Sequence, residues 1–347
     1  MKVTLKTVIN RLLQPFEYIY LAAITLIDGM RTSGLLRSRR LPAPVVSIGN
    51  ITVGGTGKTP SAIRFAEEAV ARGFRPAILT RGYGGSAKGP VVVSAGKGPV
   101  IDATMAGDEA YLMAKKLPGI PVIKCPDRYK GGSLANDLFQ PDLYILDDGF
   151  QHRALERDID IVLVDGSRPF TNERLLPAGR LREPIKKALE RADEVIITKA
   201  PSKKINKLKS DIAILTNSSQ VSELRHKAVS IANTSGNTKP IASLSGRRVL
   251  AFSGIANPLH FKSMLVALGA DVIKFISFSD HYRYGRLDMK KIRAEAESSS
   301  PDFIVTTEKD LVKLPLEDEF WALQIKVEFE AEMLKRVFSR ISAIRKS

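Results

Sequence analysis

The sequence predicts an α/β protein in which one domain with a mostly parallel sheet precedes a second, smaller α/β domain. Three observations predict it. Residues 45–60, VVSIGNITVGGTGKTP, run from a β-branched stretch into glycines at 49, 54, 55 and 57 and then into Lys58 and Thr59. Short apolar runs alternate with segments of helical spacing from residue 59 to residue 200, and a second alternation starts at residue 247. Near-continuous apolar strands between helices belong to parallel sheets covered on both faces, and such sheets gather ligands at the strand C-termini.

The first of these stretches has the chemistry of a phosphate-binding loop. Glycines let consecutive backbone N–H groups turn inward around an anion, the opening helix adds its positive dipole end, and the lysine reaches the terminal phosphates. Thr59 would place its hydroxyl on Mg²⁺. Thr52, Val53, Gly54, Gly55, Thr56, Gly57, Lys58 and Thr59 are therefore candidate nucleotide-binding residues, and the domain is of the P-loop NTPase type, an α/β/α sandwich. The strict pattern has a glycine five positions before Gly57, and Thr52 stands there instead. The plainer alternative is a Gly-rich turn before a helix.

Taken in order, TPSAIRFAEEAVARG (59–73) has helical spacing and ends on a glycine, as a helix C-terminus does. PAILT (76–80) is a strand, GDEAYLMAKKL (107–117) a helix, and PVIKC (121–125), LYILDD (143–148) and DIVLVDG (160–166) are strands. EVIITKA (194–200) is the last long strand of this half. Residues 201–246 turn polar, with AVSIAN the only candidate strand, and are expected to be a linker. The second alternation comprises RRVLAFSGI (247–255), a helix over 257–269, the strand DVIKFISF, a polar helix over 286–298, DFIVTT (302–307) and LQIKVEF (323–329). The expected domains are thus an N-terminal region 1–40, a P-loop domain 41–200, the linker 201–246 and a smaller domain 247–347.

Composition narrows the partners. The chain has 347 residues, long enough for two cores, and a formal net charge of +16, which favours anionic ligands such as nucleotides, phospholipid headgroups or nucleic acid. The aromatics are not interleaved with basic residues as a nucleic-acid stacking platform requires, so no nucleic acid is expected. Its single cysteine, Cys125, rules out an internal disulfide and suits a structural position at a strand end. The clean apolar run YIYLAAITLI (18–27) has ten residues, about 15 Å as a helix at 1.5 Å per residue, against about 30 Å of hydrocarbon. It does not span. Residues 1–40 carry seven Lys or Arg against two acids, which suits a helix lying in the membrane surface. A helix packed on its own domain is the alternative.

Several residue sets carry chemistry. Asp147 and Asp148 end an apolar strand downstream of the phosphate loop, where a metal-binding acid belongs. Asp108 and Glu109 sit at a helix start, a position equally suited to capping. Arg81, in RGYGG, follows a strand and is placed either to meet phosphate or to serve a plain turn. His281, in FSDHYRY after a strand of the second domain, is a candidate beside Asp280. The basic loop LLPAGRLREP (175–184) suits an anionic substrate. Guanine specificity would call for Asn/Thr-Lys-x-Asp at a late strand end, but Thr198, Lys199 and Ala200 are followed by Pro201, so ATP is expected.

SIGNITVGGTGKTP, RGYGG, GDE, LDDGFQHR, LLPAGRLREP, FSGIANPLHF, SDH and VTTEKD, in this order from about residue 41 to 314, resemble the tetraacyldisaccharide 4′-kinases of lipid A biosynthesis. Thr52 is what that family's loop carries. The resemblance implies a peripheral enzyme at the cytoplasmic face of the bacterial inner membrane. It would move the γ-phosphate of ATP onto the 4′-hydroxyl of a tetraacyldisaccharide 1-phosphate, a lipid A disaccharide precursor, with no protein partner required. It also implies two α/β/α domains that close over a cleft. Carried over by motif, Asp108 would be the base, supported by His281, with Lys58 also catalytic; Asp147, Asp148 and Thr59 would serve Mg²⁺. Gln151, His152 and Arg128 would lie near the nucleotide, and Arg81, Glu109, Arg182 and Glu183 near the substrate. The competing class is a membrane-associated P-loop switch or metallochaperone acting on a protein, which leaves LREP and SDH without a purpose.

Overall fold

The apolar runs form strands where the alternation expects them. A computed structural model describes residues 12–170, 174–200, 204–216, 220–315, 317 and 319–346. The first eleven residues of the N-terminal region, Pro201 of the guanine test and residues 217–219 of the expected linker lie outside these. The strands are β1 Val45–Asn50, β2 Pro76–Thr80, β3 Val91–Ala95, β4 Pro121–Lys124, β5 Leu143–Asp147, β6 Ile159–Asp165, β7 Glu194–Thr198, β8 Val221–Asn233, β9 Thr238–Pro240, β10 Arg248–Ser253, β11 Asp271–Ser277, β12 Phe303–Thr307 and β13 Phe320–Phe329.

Two compact units share the chain. The first holds residues 1–81, 125–225 and 328–347; the second holds 82–124 and 226–327. The division departs from contiguous segments at two places. Residues 82–124, expected with the phosphate loop, group with the second unit, and the last twenty residues group with the first. Side-chain packing explains the second departure. The helix Ala331–Lys346 stacks Phe338 on Phe65 at 4.9 Å and sets Arg336 on both carboxylate oxygens of Glu194 at 2.9 Å.

In the first unit the strands β2, β5, β1, β6 and β7 are all parallel in that spatial order, and Val221–Leu224 of β8 pair alongside β7. Every residue of β1, β5 and β7 is buried, the pattern of a sheet covered on both faces. The core includes Ile51, Phe150, Val162, Leu189 and Ile197. The central strand β1 feeds the phosphate loop, and its Ile48 is in register with Asp147 on β5, so topology alone brings loop and acid together.

In the second unit β10 lies between β11 and β12, and β12 pairs with β13, all parallel. β3 and β4 pair antiparallel. The core is built from Val249, Ala251, Phe252, Leu265 and Phe320, with Ile292 from the helix Arg286–Ser299. Residues 201–246 carry more structure than a linker. They include the helix Ile205–Leu215, the thirteen-residue β8 and β9, which pairs antiparallel with β8. In VSELRHKAVSIAN the charges stand on the unburied positions between Ser222, Leu224 and the buried end, so average polarity hides a half-buried strand.

The helix Gln14–Thr32 buries none of its residues fully. Tyr20 and Leu21 nonetheless pack on the first unit's core, the Tyr20 hydroxyl donates to Arg182 O at 2.7 Å, and Glu17 accepts from Leu175 N at 2.7 Å. Phe16, Tyr18, Ile19 and Leu26 stay exposed on the same helix. No helix among the described residues is long and apolar enough to cross a membrane.

Candidate active site

The phosphate loop is held open by backbone geometry. Gly57, which precedes the helix Lys58–Ala71, has φ +92°, a left-handed conformation that side chains resist. A Cβ on Gly49 would lie 2.6 Å from Cβ of Phe150 and 2.9 Å from its backbone N, so β1 approaches the Asp-Asp-Gly-Phe turn only because Gly49 lacks one. Side chains at the ends of β1 and β7 fix the loop. Asn50 Nδ2 donates to Thr56 Oγ1 at 2.9 Å, Thr198 Oγ1 donates to Thr56 O at 3.0 Å, and Lys199 reaches Gly55 O. Thr198 and Lys199, met above as a failed guanine motif, thus support the loop.

The loop 175–184 is stitched alongside. Val53 N donates to Arg180 O at 2.8 Å, Arg182 N donates to Ile51 O at 2.8 Å, and Arg180 Nε donates to Val53 O at 3.0 Å. This register delivers Arg182 to the acids at the end of β5. Its guanidinium spans Asp148 at 2.8 and 3.2 Å and also donates to Gln151 Oε1 at 3.0 Å. Gln151 Nε2 in turn donates to Asn50 O at 2.8 Å and to Glu183 Oε1 at 3.0 Å, and Glu183 is clamped by Arg191 at 3.0 and 3.1 Å.

Lys58 Nζ lies 3.8 Å from Asp148 Oδ2. Asp148 takes a left-handed backbone, φ +52°, at the strand end. Burial opposes its charge, but Lys58, Arg182 and Arg128 outweigh that and hold the carboxyl below its ordinary range. Asp147 is buried, with the Thr59 hydroxyl 3.4 Å and the Thr80 hydroxyl 3.5 Å from its Oδ2. Two carboxylates and a hydroxyl are the hard oxygen donors Mg²⁺ selects, and that ion takes its remaining positions from water and substrate phosphates. The residues fit it.

Arg128 is buried at the start of the helix Arg128–Phe139, where burial lowers its pKa against the pull of Asp147 and Asp148. An arginine stays charged all the same. Arg81 is exposed and its charge adds to that lowering. Burial, reinforced by Arg128, pushes the His152 imidazole down to about 4, so it is neutral at pH 7. Its Nε2 is buried without a hydrogen-bond partner among the described residues.

A second constellation lies in the other unit. Asp108 opens the helix Asp108–Lys116 behind Gly107, and its carboxylate meets side chains. His281 Nδ1 is 3.4 Å and Lys313 Nζ 3.7 Å from Asp108 Oδ2. Burial works against the Asp108 charge, but the hydrogen bond to His281 and the charge of Lys313 overcome it and leave the carboxyl below its ordinary value. His281 has φ +58°, its backbone N donates to Gly254 O at 3.1 Å, and the Tyr83 ring meets its imidazole edge-on at 5.0 Å. Lys309 Nζ lies 3.0 Å from His281 Nε2 and 3.2 Å from Glu109 Oε1.

Of the residues singled out in the sequence, Lys58, Thr59, Asp147, Asp148, Arg128, Gln151, Arg182 and Glu183 gather in the first unit. Asp108, Glu109 and His281 gather in the second. Sequence reasoning gave no role to Lys309, Lys313 or Arg191. The two lysines stand one helical turn apart after VTTE, a spacing that puts them on one face, and this was the available signal.

A family model described as tetraacyldisaccharide-1-P 4′-kinase matches residues 9–342. The chain belongs to this family. A relative from Syntrophus aciditrophicus, named tetraacyldisaccharide 4′-kinase, is 42% identical over 318 residues, covering 88% of this chain and 85% of its own. One of the same name from Halothermothrix orenii is 38% identical over 322 residues, with 88% and 83% covered. The fold matches a crystal structure of LpxK from Aquifex aeolicus, described as an "apo" form in complex with ATP, with a TM-score of 0.79, 36% identity, and 96% of this chain and 99% of that one covered. Membership makes the chain an enzyme, an ATP-binding kinase of lipid A biosynthesis.

Proposed function

We propose that this kinase transfers the γ-phosphoryl group of ATP to the 4′-hydroxyl of a tetraacyldisaccharide 1-phosphate, giving lipid IVA. The observation that carries this reading is the convergence of Lys58 and Arg182 on Asp148, next to a Thr59–Asp147 pair at the mouth of a glycine loop. Lys58 and Arg182 both contact the Asp148 carboxylate. A triphosphate offers the same two cations its own oxygens, and Lys58 and Arg182 then neutralise the charge that develops on the transferred group. Thr59, Asp147 and Asp148 would hold Mg²⁺, which would supply further neutralisation of phosphate charge.

The transition state of phosphoryl transfer is loose, so the protein contributes mainly position and charge. The bond from the β–γ bridging oxygen to the γ-phosphorus breaks with its electrons going to ADP. The bond from the sugar O4′ to the same phosphorus forms, and the hydroxyl proton passes to Asp108. A carboxylate with a depressed pKa is a weak base, which suffices because the proton leaves late. Arg81, Glu109, Arg182 and Glu183 are the proposed substrate contacts, and Gln151, His152 and Arg128 the proposed surroundings of the nucleotide. A switch acting on a protein partner leaves the Asp108–His281 pair without work and gains no support from any contact described above.

The exposed Phe16, Ile19 and Leu26 beside the basic N-terminal segment support a helix resting in the membrane surface, with Tyr20 and Glu17 tying it to the enzyme. On this reading the protein is peripheral, at the cytoplasmic face of the inner membrane, where ATP is available to it.

The test is transfer of label from γ-labelled ATP to a tetraacyldisaccharide 1-phosphate lipid in the presence of Mg²⁺. Label moves into lipid with the intact chain and falls by about 10²-fold or more with Lys58→Ala or Asp108→Ala. Label appearing only as free phosphate, or unchanged transfer in both variants, overturns the reading.

A further inference from the structure

We infer that Lys309 is a positioning residue that fixes the His281 ring as a hydrogen-bond donor to Asp108 and keeps that ring out of the proton path. The inference rests on the reading of Asp108 as the base.

The geometry assigns the tautomer. An ammonium group donates and never accepts. Lys309 Nζ makes its shortest contact, 3.0 Å, with His281 Nε2, against 3.2 Å to Glu109 and 3.7 Å to Asp280. That nitrogen must therefore present a lone pair. The ring proton then sits on Nδ1, which faces Asp108 Oδ2 at 3.4 Å. A ring arranged this way donates to the carboxylate and has no free lone pair with which to take a proton from it. The proton leaving the sugar hydroxyl stops at Asp108.

Lys309 is well placed for the task. It follows Glu308 in the short helix that Thr307 caps, the Thr307 side chain accepting from Asp310 N at 3.2 Å. Glu109 and Asp280, with Asp108 next in line, stabilise its charge against burial and raise its pKa, so it stays an ammonium at working pH. A second lysine, Lys313, approaches Asp108 itself and is anchored 2.8 Å from the fully buried Asp310. The two lysines thus divide the work: Lys313 faces the base, and Lys309 faces the residue that orients the base. A protonated imidazole would bring a second cation against Lys309, and the 3.0 Å contact would be lost.

Nitrogen-15 spectra of the His281 ring in the full-length protein test this directly, alongside steady-state kinetics. Wild type is expected to show Nδ1 protonated and Nε2 bare. In Lys309→Met the proton redistributes between the two nitrogens, kcat falls by about 10- to 100-fold, and KM for ATP stays within about twofold. Lys309→Arg, which restores a donor, recovers part of kcat and the Nδ1–H signature. An Nε2–H ring in wild type, or a ring unchanged in Lys309→Met with kcat unchanged, overturns the inference. Asp108→Asn separates the two ideas: full activity in that variant removes the base, whereas its inactivity beside a normal Lys309→Met removes only the role of the lysine.

Discussion

His152 is half-buried, carries no partner on Nε2 among the described residues, and lies within the field of Arg128. Its folded-state pKa of about 4 lies below the usual value of about 6.5. Between these values the unfolded chain binds the proton and the folded one does not, so stability falls as pH drops from about 6.5 to about 4. Urea midpoints measured across that window should decline in wild type and decline less in His152→Gln. Parallel slopes would mean that the imidazole is not desolvated. Asp108 and Asp148 behave in the opposite region: their carboxyls are held low, so the stability they contribute persists through neutral pH and is lost only as pH falls through those depressed values. At this scale the sequence was legible where a motif fixed the chemistry, as at Lys58, Thr59 and Asp147. It was silent about Lys309 and Arg191, whose roles come from partners 28 and 8 positions away or more.

The helix Gln14–Thr32 packs on the first unit and still presents apolar side chains to solvent. One side ties to the first unit through Glu17, Tyr20 and Asp28, and another leaves Phe16, Tyr18, Ile19 and Leu26 exposed. Replacing Phe16, Ile19 and Leu26 together by serine should weaken binding to phosphatidylglycerol vesicles while leaving the melting temperature nearly unchanged. Undiminished binding would return the helix to a purely structural role. β1, β2, β4–β7 and β10–β13 were legible because continuous apolar runs have few other homes, whereas the short β3 and β9 were passed over. Of β8 only AVSIAN was legible, since the charged alternation of its first half lowers the average hydropathy into the range of a linker. The Ala331–Lys346 helix was not legible, for its partner Phe65 lies far back in the chain and is visible only after folding.

On the scale of the whole molecule, the chain leaves its first unit after Arg81, returns at Cys125, leaves again after Arg225 and returns at Glu328. Those crossings are why contiguous segments were a poor guide to the units: hydrophobic periodicity reports which residues are buried and not which core buries them. They also mean that Asp108 of GDE and His281 of SDH, 173 positions apart, belong to one unit, and that the phosphate loop and LDDGFQHR belong to the other. The proposed reaction draws on both sets of residues for one phosphoryl transfer. The most direct measurement is phosphorus NMR of the lipid after incubation of the intact protein with ATP, Mg²⁺ and tetraacyldisaccharide 1-phosphate. The predicted result is a new phosphomonoester resonance coupled to the sugar H4′, growing in step with ADP. A spectrum that gains only inorganic phosphate, or a diphosphate at the 1-position, would contradict it.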